Sequence, residues 1–259
     1  MNRTERHITI DVGNTSVKLA VFEGDELEAV ERDTGAAFVG RVAALSGQGI
    51  RSGILSSVAT LPDKLIGELR GLPLDLLWLN AETPLPFVNL YESPATLGPD
   101  RLAAAAGACA LFPDSDVLVI DAGTCIKYEK ISKGRYYHGG NISPGLTMRF
   151  EALHEFTARL PLLNGEGDCP DWGIDTPTAM RSGVINGIRH EMNGFTRQMV
   201  KTYPGLQVVI TGGDAELLAP MLEYPVHRAP HLVLSGLNHI LNYNLKPGDK
   251  GREEGGKAT

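Results

Sequence analysis

The chain has 259 residues, which is enough for one large domain or two smaller ones. Its net charge of −7 and the lack of a dense run of Lys or Arg disfavour binding to nucleic acid or to an anionic membrane, and no apolar run is long enough to span a bilayer. The N-terminus lacks the pattern of a secretory signal, and the 3 cysteines include no pair at metal-ligand spacing. A reduced protein of the cytoplasm is therefore predicted.

Short runs of strand-like composition alternate with helix-length segments, which predicts an α/β fold. From the N-terminus, the pattern predicts strands at 8–11, 16–22 and 27–31, the last two joined by a turn at 23–25, then a helix at 36–45 and strands at 53–58 and 74–79. It next predicts an Ala-rich helix at 99–111, a strand at 116–120 with a hairpin partner at 125–131, helices at 146–154 and 177–203, and a strand at 208–211 before a helix that begins at Asp214. Residues 246–259 are rich in Gly and charge and are predicted to be disordered.

A strand–turn–strand motif occurs twice, and its Asp, Gly, Thr and Lys align when one residue is dropped from the first turn. The aligned residues are Asp11, Gly13, Thr15 and Lys18 in the first copy, and Asp121, Gly123, Thr124 and Lys127 in the second. The repeat predicts a duplicated domain with a small-molecule cleft between its halves. The expected halves are 1–115, which carries the first motif, and 116–245, which carries the second.

The residue types of this turn suit phosphate binding. Gly13 lets the backbone approach a ligand closely, and the N–H groups of the turn with the side chains of Asn14 and Thr15 can point at phosphate oxygens. Lys18 adds positive charge, whereas Asp11 would hold a cation or a metal-bound water. One such turn is more often a plain hairpin, but two copies that each close a hydrophobic strand favour phosphate binding.

A third Gly-rich turn runs from a strand into a helix at 211–214. This position favours a nucleotide contact through backbone N–H groups at the helix N-terminus. Alternatively, Asp214 is only the N-cap of that helix.

The segment Gly98-Pro99-Asp100-Arg101 precedes the Ala-rich helix. Pro99 and Asp100 are favoured in the first turn of a helix, so helix initiation alone would explain them. A kinase that acts on an alcohol also needs a carboxylate to accept the hydroxyl proton and a cationic group to hold an anionic substrate. Both interpretations are open from the residues alone.

Two further segments have both a structural and a functional interpretation. Residues 138–146 are either a connection between strand and helix or a wall of the cleft. Thr176, with Pro177 at the first helical position, is either an N-cap or a ligand contact at the helix N-terminus. The helix that follows carries an apolar stripe, suited to the core or to a partner helix, at Met180, Val184, Ile188, Met192 and Phe195.

These segments, in this order, resemble type III pantothenate kinases over roughly residues 8–240. The resemblance is carried by 11–15, Tyr91, 98–101, 121–124, 139–145 and Thr176 ahead of 179–183. It implies a duplicated actin/Hsp70/sugar-kinase-like (ribonuclease H-like) α/β fold. It also implies transfer of the γ-phosphoryl group of ATP to pantothenate, the first step of coenzyme A biosynthesis.

The resemblance further implies roles for individual residues. Asp100 would accept the proton of the substrate hydroxyl, and Asp121 would bind a monovalent cation, K⁺ or NH₄⁺, while Mg²⁺ bridges the ATP phosphates. ATP would be held by Asp11, Val12, Gly13, Asn14, Thr15, Ser16, Val17, Lys18 and Thr124. Pantothenate would be held by Tyr91, Gly98, Pro99, Asp100 and Arg101, and by Thr176 from the second subunit of a homodimer.

The chain departs from the family pattern after the second motif. Many members continue with small residues, then Thr and often Asp, whereas this chain has Cys125, Ile126 and Lys127. Lys127 adds positive charge near the proposed cation site. It either points away from that site or weakens the cation requirement.

Other functions are less favoured by the residues. A non-catalytic regulator on the same fold is disfavoured by the intact Asp100. A kinase for another small alcohol or acid is disfavoured by the Gly-Pro-Asp-Arg segment and the short chain. A Rossmann dehydrogenase is excluded because no Gly-x-Gly-x-x-Gly follows the first strand.

Overall fold

The computed structural model of the chain describes residues 5–33 and 37–246, and two β-sheets organise this part of the protein. The first sheet consists of β1 (Arg6–Val12), β2 (Val17–Glu23), β3 (Glu26–Asp33), β4 (Ser52–Ser57) and β5 (Asp75–Trp78). The second consists of β6 (Val88–Asn89), β7 (Val117–Ala122), β8 (Cys125–Ser132), β9 (Tyr136–Pro144), β10 (Gln207–Thr211) and β11 (His227–Arg228).

Helices cover both sheets. They are α1 (Phe38–Gly47), α2 (Asp63–Arg70), α3 (Pro99–Leu111), α4 (Leu146–Glu155), α5 (Thr176–Arg181), α6 (Gly187–Thr202), α7 (Ala215–Leu218) and α8 (Leu232–Leu245). Single 3₁₀ turns occupy Pro94–Thr96 and Ala219–Met221, and a π-helical turn at Ser182–Asn186 joins α5 to α6. In the described residues, no helix has both the length and the apolar character that crossing a membrane requires.

The two sheets share one topology. The first has the strand order β3-β2-β1-β4-β5, and the second has the equivalent order β9-β8-β7-β10-β11, with β6 added beside β9. In each sheet the first three strands pair antiparallel, and the last two run parallel to the first. The predicted α/β fold with a duplicated unit is thus confirmed, whereas the division at residue 115 stays a prediction.

The Ala-rich helix α3 lies at the centre of the molecule. It packs against α8, and the apolar cluster around these two helices includes Ile54 of the first sheet and Val119 of the second. Residues 103–106, all Ala, are at most 1% exposed. A helix that is apolar on every side must be buried on every side, and small side chains allow both a sheet and a second helix to approach it. The start of α3 is thereby fixed next to the hairpins of both sheets.

Most predicted elements are confirmed within a few residues, but there are several differences. The helices α2 and α8 and the short strands β6 and β11 were not predicted, and residues 138–146 are mainly strand β9 instead of a connection. The predicted helix 177–203 is interrupted by the π-helical turn. Its N-cap is Asp175, not Thr176, because Asp175 and Thr178 form a reciprocal capping box.

The apolar stripe of this helix belongs to the core. Met180, Val184, Ile188 and Met192 are buried, and Phe195 packs against the same cluster beneath the second sheet. The core interpretation is therefore right for the stripe. The tail predicted to be disordered lies outside the described residues, apart from residue 246.

Candidate active site

A cleft with a volume of about 610 Å³ is lined by residues from both sheets, which is within the usual range for small-molecule sites. Its walls come from the turns that end β1 and β7, the start of α3, and the segments that precede α7 and α8. Most of the predicted site residues meet here: Asp11, Gly13, Asn14, Thr15, Ser16, Lys18, Tyr91, Gly98, Asp100, Arg101, Asp121 and Thr124.

Four predicted site residues do not line the cleft. Val12 and Val17 are buried in the apolar cluster under the first turn, so they support the turn from below. Pro99 occupies the first position of α3. Thr176 lies elsewhere on the chain, at a second cavity.

The two repeated turns are both closed by a hydrogen bond from the glycine N–H, and the first turn is one residue longer than the second. In the first, the N–H of Gly13 donates to the carbonyl of Ser16 (3.0 Å), and in the second the N–H of Gly123 donates to the carbonyl of Cys125 (3.1 Å). These bonds close tight turns whose tips, including Thr15 and Thr124, are exposed to the cleft. Exposed N–H and hydroxyl groups at a tight turn are suited to phosphate oxygens.

Backbone packing fixes the second and third turns relative to each other. A Cβ added at Gly145, at the end of β9, would lie 2.2 Å from the carbonyl oxygen of Gly123. The third turn is held by a hydrogen bond from the N–H of Asp214 to the carbonyl of Ala122 (2.9 Å). Asp214 occupies the N-cap position of α7 without a capping hydrogen bond from its side chain.

Three carboxylates converge in the cleft. Asp11 is buried and accepts a hydrogen bond from the hydroxyl of Ser56 (3.3 Å). Burial is the main cause that raises the pKa of Asp11 to about 6; Asp100 and Asp121 act in the same direction, and the ammonium groups of Lys18 and Lys127 oppose it. The ionised form of Asp11 therefore destabilises the folded protein, and a bound cation would offset this destabilisation.

Lys127 joins the other two carboxylates. Its Nζ donates to Oδ2 of Asp100 (2.6 Å) and lies 2.7 Å from Oδ2 of Asp121. Although burial disfavours the ammonium, these two carboxylates raise the pKa of Lys127 above its usual value. The side chain therefore points into the proposed cation site, which decides between the two orientations that the sequence left open.

Arg101 is committed to a buried ion pair. Its Nε and Nη2 donate to the two carboxylate oxygens of Glu129 (2.6 and 2.8 Å), and the hydroxyl of Tyr137 donates to the same carboxylate (2.6 Å). Burial disfavours the charged guanidinium, but its hydrogen bonds to Glu129 and the charge of that carboxylate raise the pKa of Arg101. Because two donor groups are already used, the predicted substrate contact of Arg101 stays a prediction.

Tyr91 lies beside this ion pair and faces the cleft. The guanidinium of Arg101 is 5.4 Å from the centre of the Tyr91 ring, and the ring of Tyr137 is 6.4 Å away. Gly139 on β9 has φ +87°, and a Cβ there would lie 2.6 Å from Cδ2 of Tyr91. The ring therefore packs directly on the backbone of Gly139, while Gly140 is required by the close approach of the Tyr128 carbonyl.

A model of the type III pantothenate kinase family matches residues 7–198. The chain belongs to this family. The type III pantothenate kinase of Bacteroides fragilis (strain YCH46) is 46% identical over 238 residues, which cover 92% of this chain and 98% of that protein. The type III pantothenate kinase of Phocaeicola vulgatus is 45% identical over 240 residues, which cover 93% of this chain and 99% of that protein.

Solved structures support the fold. A putative 2-dehydro-3-deoxygalactonokinase from Sinorhizobium meliloti has a TM-score of 0.59 at 15% identity, with 92% of this chain and 99% of that chain covered. A conserved putative Baf family transcriptional activator from Campylobacter jejuni has a TM-score of 0.58 at 21% identity, with 92% and 98% covered. A putative N-acetylmannosamine kinase from Listeria monocytogenes has a TM-score of 0.53 at 12% identity, with 92% and 99% covered. The sugar-kinase type of two-domain fold is therefore shown.

Thr176 is exposed at a separate cavity of about 400 Å³, which it lines with Leu153, Leu160 and Met180. Large apolar side chains are exposed in the chain before it: Phe156 is 87% exposed, Trp172 88% and Ile174 94%. Within one chain, Thr176 and Asp100 belong to different cavities.

The partners of the site residues were not predicted. Glu129 is the counterion of Arg101, but it lies between Lys127 and Lys130 in β8, so its position in the sequence does not mark it as buried. A second polar cluster was missed as well, in which Glu191 of α6 accepts hydrogen bonds from Tyr128, Ser143 and Arg149 (2.6–2.8 Å). This cluster ties α6 to β8, β9 and α4 behind the cleft.

Proposed function

We propose that the protein transfers the γ-phosphoryl group of ATP to the primary alcohol of pantothenate, giving 4'-phosphopantothenate in the first step of coenzyme A biosynthesis. The observation that carries this proposal is that the carboxylate of Asp100 lines the same cleft as both repeated turns. The chain also belongs to the family of type III pantothenate kinases. A cytoplasmic location follows as part of the proposal, because ATP and coenzyme A synthesis are found there.

The proposed mechanism assigns binding to the turns and proton transfer to Asp100. The N–H groups and hydroxyls at Thr15 and Thr124 hold the phosphates, and Lys18 adds positive charge at the mouth of the first turn. Asp100 accepts the proton of the attacking hydroxyl. Alignment and charge neutralisation are expected to supply most of the rate enhancement, with proton acceptance a smaller contribution.

The residues present fit a magnesium ion carried by the nucleotide. Among residues 5–33 and 37–246, no group of three or more His, Cys, Asp or Glu side chains could hold a metal ion by itself. Mg²⁺ usually binds one or two carboxylates together with substrate phosphates and water, and Asp11 offers an oxygen ligand in the cleft. When bound, the ion neutralises charge on the phosphates during transfer.

A monovalent cation at Asp121 fits less well. The resemblance implies K⁺ or NH₄⁺ there, but Oδ2 of Asp121 already faces Nζ of Lys127 at 2.7 Å. The cation requirement stays a prediction that this geometry does not favour.

The proposed reaction is tested by ADP release in a coupled assay, with pantothenate compared against a panel of small alcohols, sugars and acids. Pantothenate is expected to give the highest kcat/KM, and mass spectrometry should find one added phosphate on it. A non-catalytic regulator on the same fold, of the kind for which the Campylobacter protein is named, would give no turnover with any acceptor. A kinase for another substrate would prefer a different member of the panel.

We further propose that the working unit is a homodimer in which Thr176 completes the pantothenate site of the partner subunit. Two observations support it: Thr176 lies away from the cleft of its own chain, and Trp172 and Ile174 beside it are almost fully exposed. Exposed large apolar side chains close together are typical of interfaces. Thr176→Ala is expected to raise KM for pantothenate more than KM for ATP.

Mixed subunits test the shared site. Inactive Asp100→Asn subunits and weakened Thr176→Ala subunits should form, when mixed, some sites that carry neither change. Activity above the average of the two separate variants supports the proposal. A fully active monomer in sedimentation at assay concentration would refute it.

A further inference from the structure

We propose that the ammonium group of Lys127 takes the place of the monovalent cation that the family resemblance implies at Asp121, so that phosphoryl transfer by this chain requires neither K⁺ nor NH₄⁺. This inference rests on the proposed function and deepens it. It makes Lys127 a positioning residue, whose ammonium group the chain supplies in place of a free ion.

The geometry leaves no room for a second cation at this point. Nζ of Lys127 lies within 2.7 Å of one oxygen of Asp100 and one oxygen of Asp121. A free ion bound by the same oxygens would lie against the ammonium, and two like charges in contact repel strongly in a partly buried site. The side chains of the lysine and of both aspartates are only 13–17% exposed, so solvent screens this repulsion weakly.

The chemistry of the two groups is equivalent. K⁺ and NH₄⁺ are the alternatives implied for this site, and a lysine side chain ends in a substituted ammonium. It presents a single positive charge and hydrogen-bond donors to the same carboxylate oxygens.

The strand register holds Lys127 in place. Asp121 of β7 and Lys127 of β8 are directly opposite in the antiparallel pair, where facing side chains are close enough to interact. The next residue on the same face of β8 is Glu129, whose carboxylate is already taken by Arg101. Asp100 and Asp121 are thus the acceptors left for the ammonium on this face.

The contact also orients the proposed proton acceptor. Oδ1 of Asp100 accepts from the N–H of Arg101 (2.9 Å), and Oδ2 accepts from Lys127 (2.6 Å). Both oxygens are therefore fixed before substrate binds. A tethered ammonium gives this orientation at any salt composition, because the chain already holds it at the site.

The decisive measurement is a titration of the wild-type protein with KCl, NH₄Cl and NaCl, with tetramethylammonium chloride keeping the ionic strength constant. Rates of ADP release with pantothenate are expected to be the same in all four salts. Stimulation of the wild type by K⁺ or NH₄⁺ over tetramethylammonium would overturn the inference.

Variants of Lys127 provide the converse test. Lys127→Ala is expected to lose about 10²–10³-fold in kcat, as when one preorganised donor is removed from a catalytic site, and to regain activity with added NH₄⁺ or K⁺. Lys130→Ala is the matched control, because its ammonium lies on the same strand but packs over the ring of Tyr203 (4.7 Å). A folded Lys127→Ala protein that neither ion restores would also overturn the inference.

A binding measurement separates this inference from the proposed function. The melting temperature of the wild type is expected not to respond to K⁺ at constant ionic strength, whereas Lys127→Ala, which vacates the position of the ammonium, should be stabilised by it. This result does not depend on turnover. If no acceptor is phosphorylated, the proposed function fails, but the melting temperatures still decide whether the chain binds the cation. A wild type that is stabilised by K⁺ would refute the inference that Lys127 replaces the ion.

Discussion

Replacing the equivalent aspartates of the two repeated turns by Asn should change the stability of the protein in opposite directions: Asp11→Asn should stabilise it and Asp121→Asn should destabilise it. Asp11 is buried beside a neutral hydroxyl, whereas Asp121 faces the ammonium of Lys127. Replacing Asp11 by Asn removes a buried charge and keeps an oxygen that can accept from Ser56. Replacing Asp121 by Asn removes one of the two carboxylates that balance Lys127.

The size of the first effect follows from the pKa of Asp11. In the folded protein the pKa is raised from 3.8 to about 6, so the folded state retains the proton over a range in which the unfolded state has lost it. The stability of the wild type relative to Asp11→Asn therefore falls as the pH rises from 3.8 to about 6 and is constant above that. The full difference is roughly 3 kcal/mol in favour of Asn, since each pKa unit corresponds to about 1.4 kcal/mol.

The second effect is a lost charge-assisted contact. Asp121→Asn is expected to destabilise the protein by about 1–3 kcal/mol at neutral pH, because the ammonium of Lys127 retains only Asp100 as an anionic partner. Asp11→Asn should be more stable than the wild type yet lack kinase activity, as is common when a strained site is relaxed.

Urea unfolding of the ligand-free proteins measures both effects, at one pH below 3.8 and one well above 6. The advantage of Asp11→Asn should be present only at the higher pH. An Asp11→Asn protein less stable than the wild type at neutral pH, or a difference that does not change with pH, would refute the assignment of Asp11 as a buried, costly carboxylate.

Three other substitutions test the remaining parts of the site. Asp100→Asn is expected to lower kcat by about 10²–10⁴-fold with a normal circular dichroism spectrum, and near-normal turnover would remove Asp100 from the role of proton acceptor. Gly139→Ala combines a positive φ with a Cβ placed against Tyr91, so a loss of about 1–3 kcal/mol in urea unfolding and a raised KM for pantothenate are expected; an unchanged KM would contradict a substrate contact by Tyr91. Glu129→Gln leaves Arg101 buried without its counterion, and a loss of about 3–5 kcal/mol is expected; a loss below 1 kcal/mol, typical of an exposed pair, would show that the ion pair is not fully desolvated.

The elements of this fold were predictable where local signals agree. The hairpins follow from strand composition broken by Asp-x-Gly turns, and α3 was placed by an Ala-rich run behind Pro99. The repeated motif also predicted which residues would line the cleft, because strands of equivalent halves end at the same place in each half. The Gly-rich strand β9 was misjudged, since its glycines allow close contacts such as that of Gly140 with the carbonyl of Tyr128 on β8.

The orientation of Lys127 was beyond the reach of the sequence for a different reason. Whether it faces Asp121 depends on the length of the turn between β7 and β8, and a slip of one residue would turn it to the opposite face. The pairing of Glu129 with Arg101 was not predictable for the same reason, since the two residues are 28 positions apart in the chain and lie on different elements. Such pairings are decided by the register of the whole sheet.

The duplication explains how one cleft can hold so many carboxylates beside a polyanionic nucleotide. In each half an Asp at the end of the first strand lies directly opposite a Lys on the second, as Asp11 does Lys18 and Asp121 does Lys127. The second half uses its lysine to neutralise Asp121 and to orient Asp100. In the first half, Asp11 stays buried with a raised pKa, and a cation that arrives with the nucleotide phosphates would relieve that cost. The same cross-strand pair thus holds a built-in cation in one half and provides a binding site for a nucleotide-borne cation in the other. Added K⁺ or NH₄⁺ should therefore restore activity when Lys127 is lost but not when Asp11 is lost.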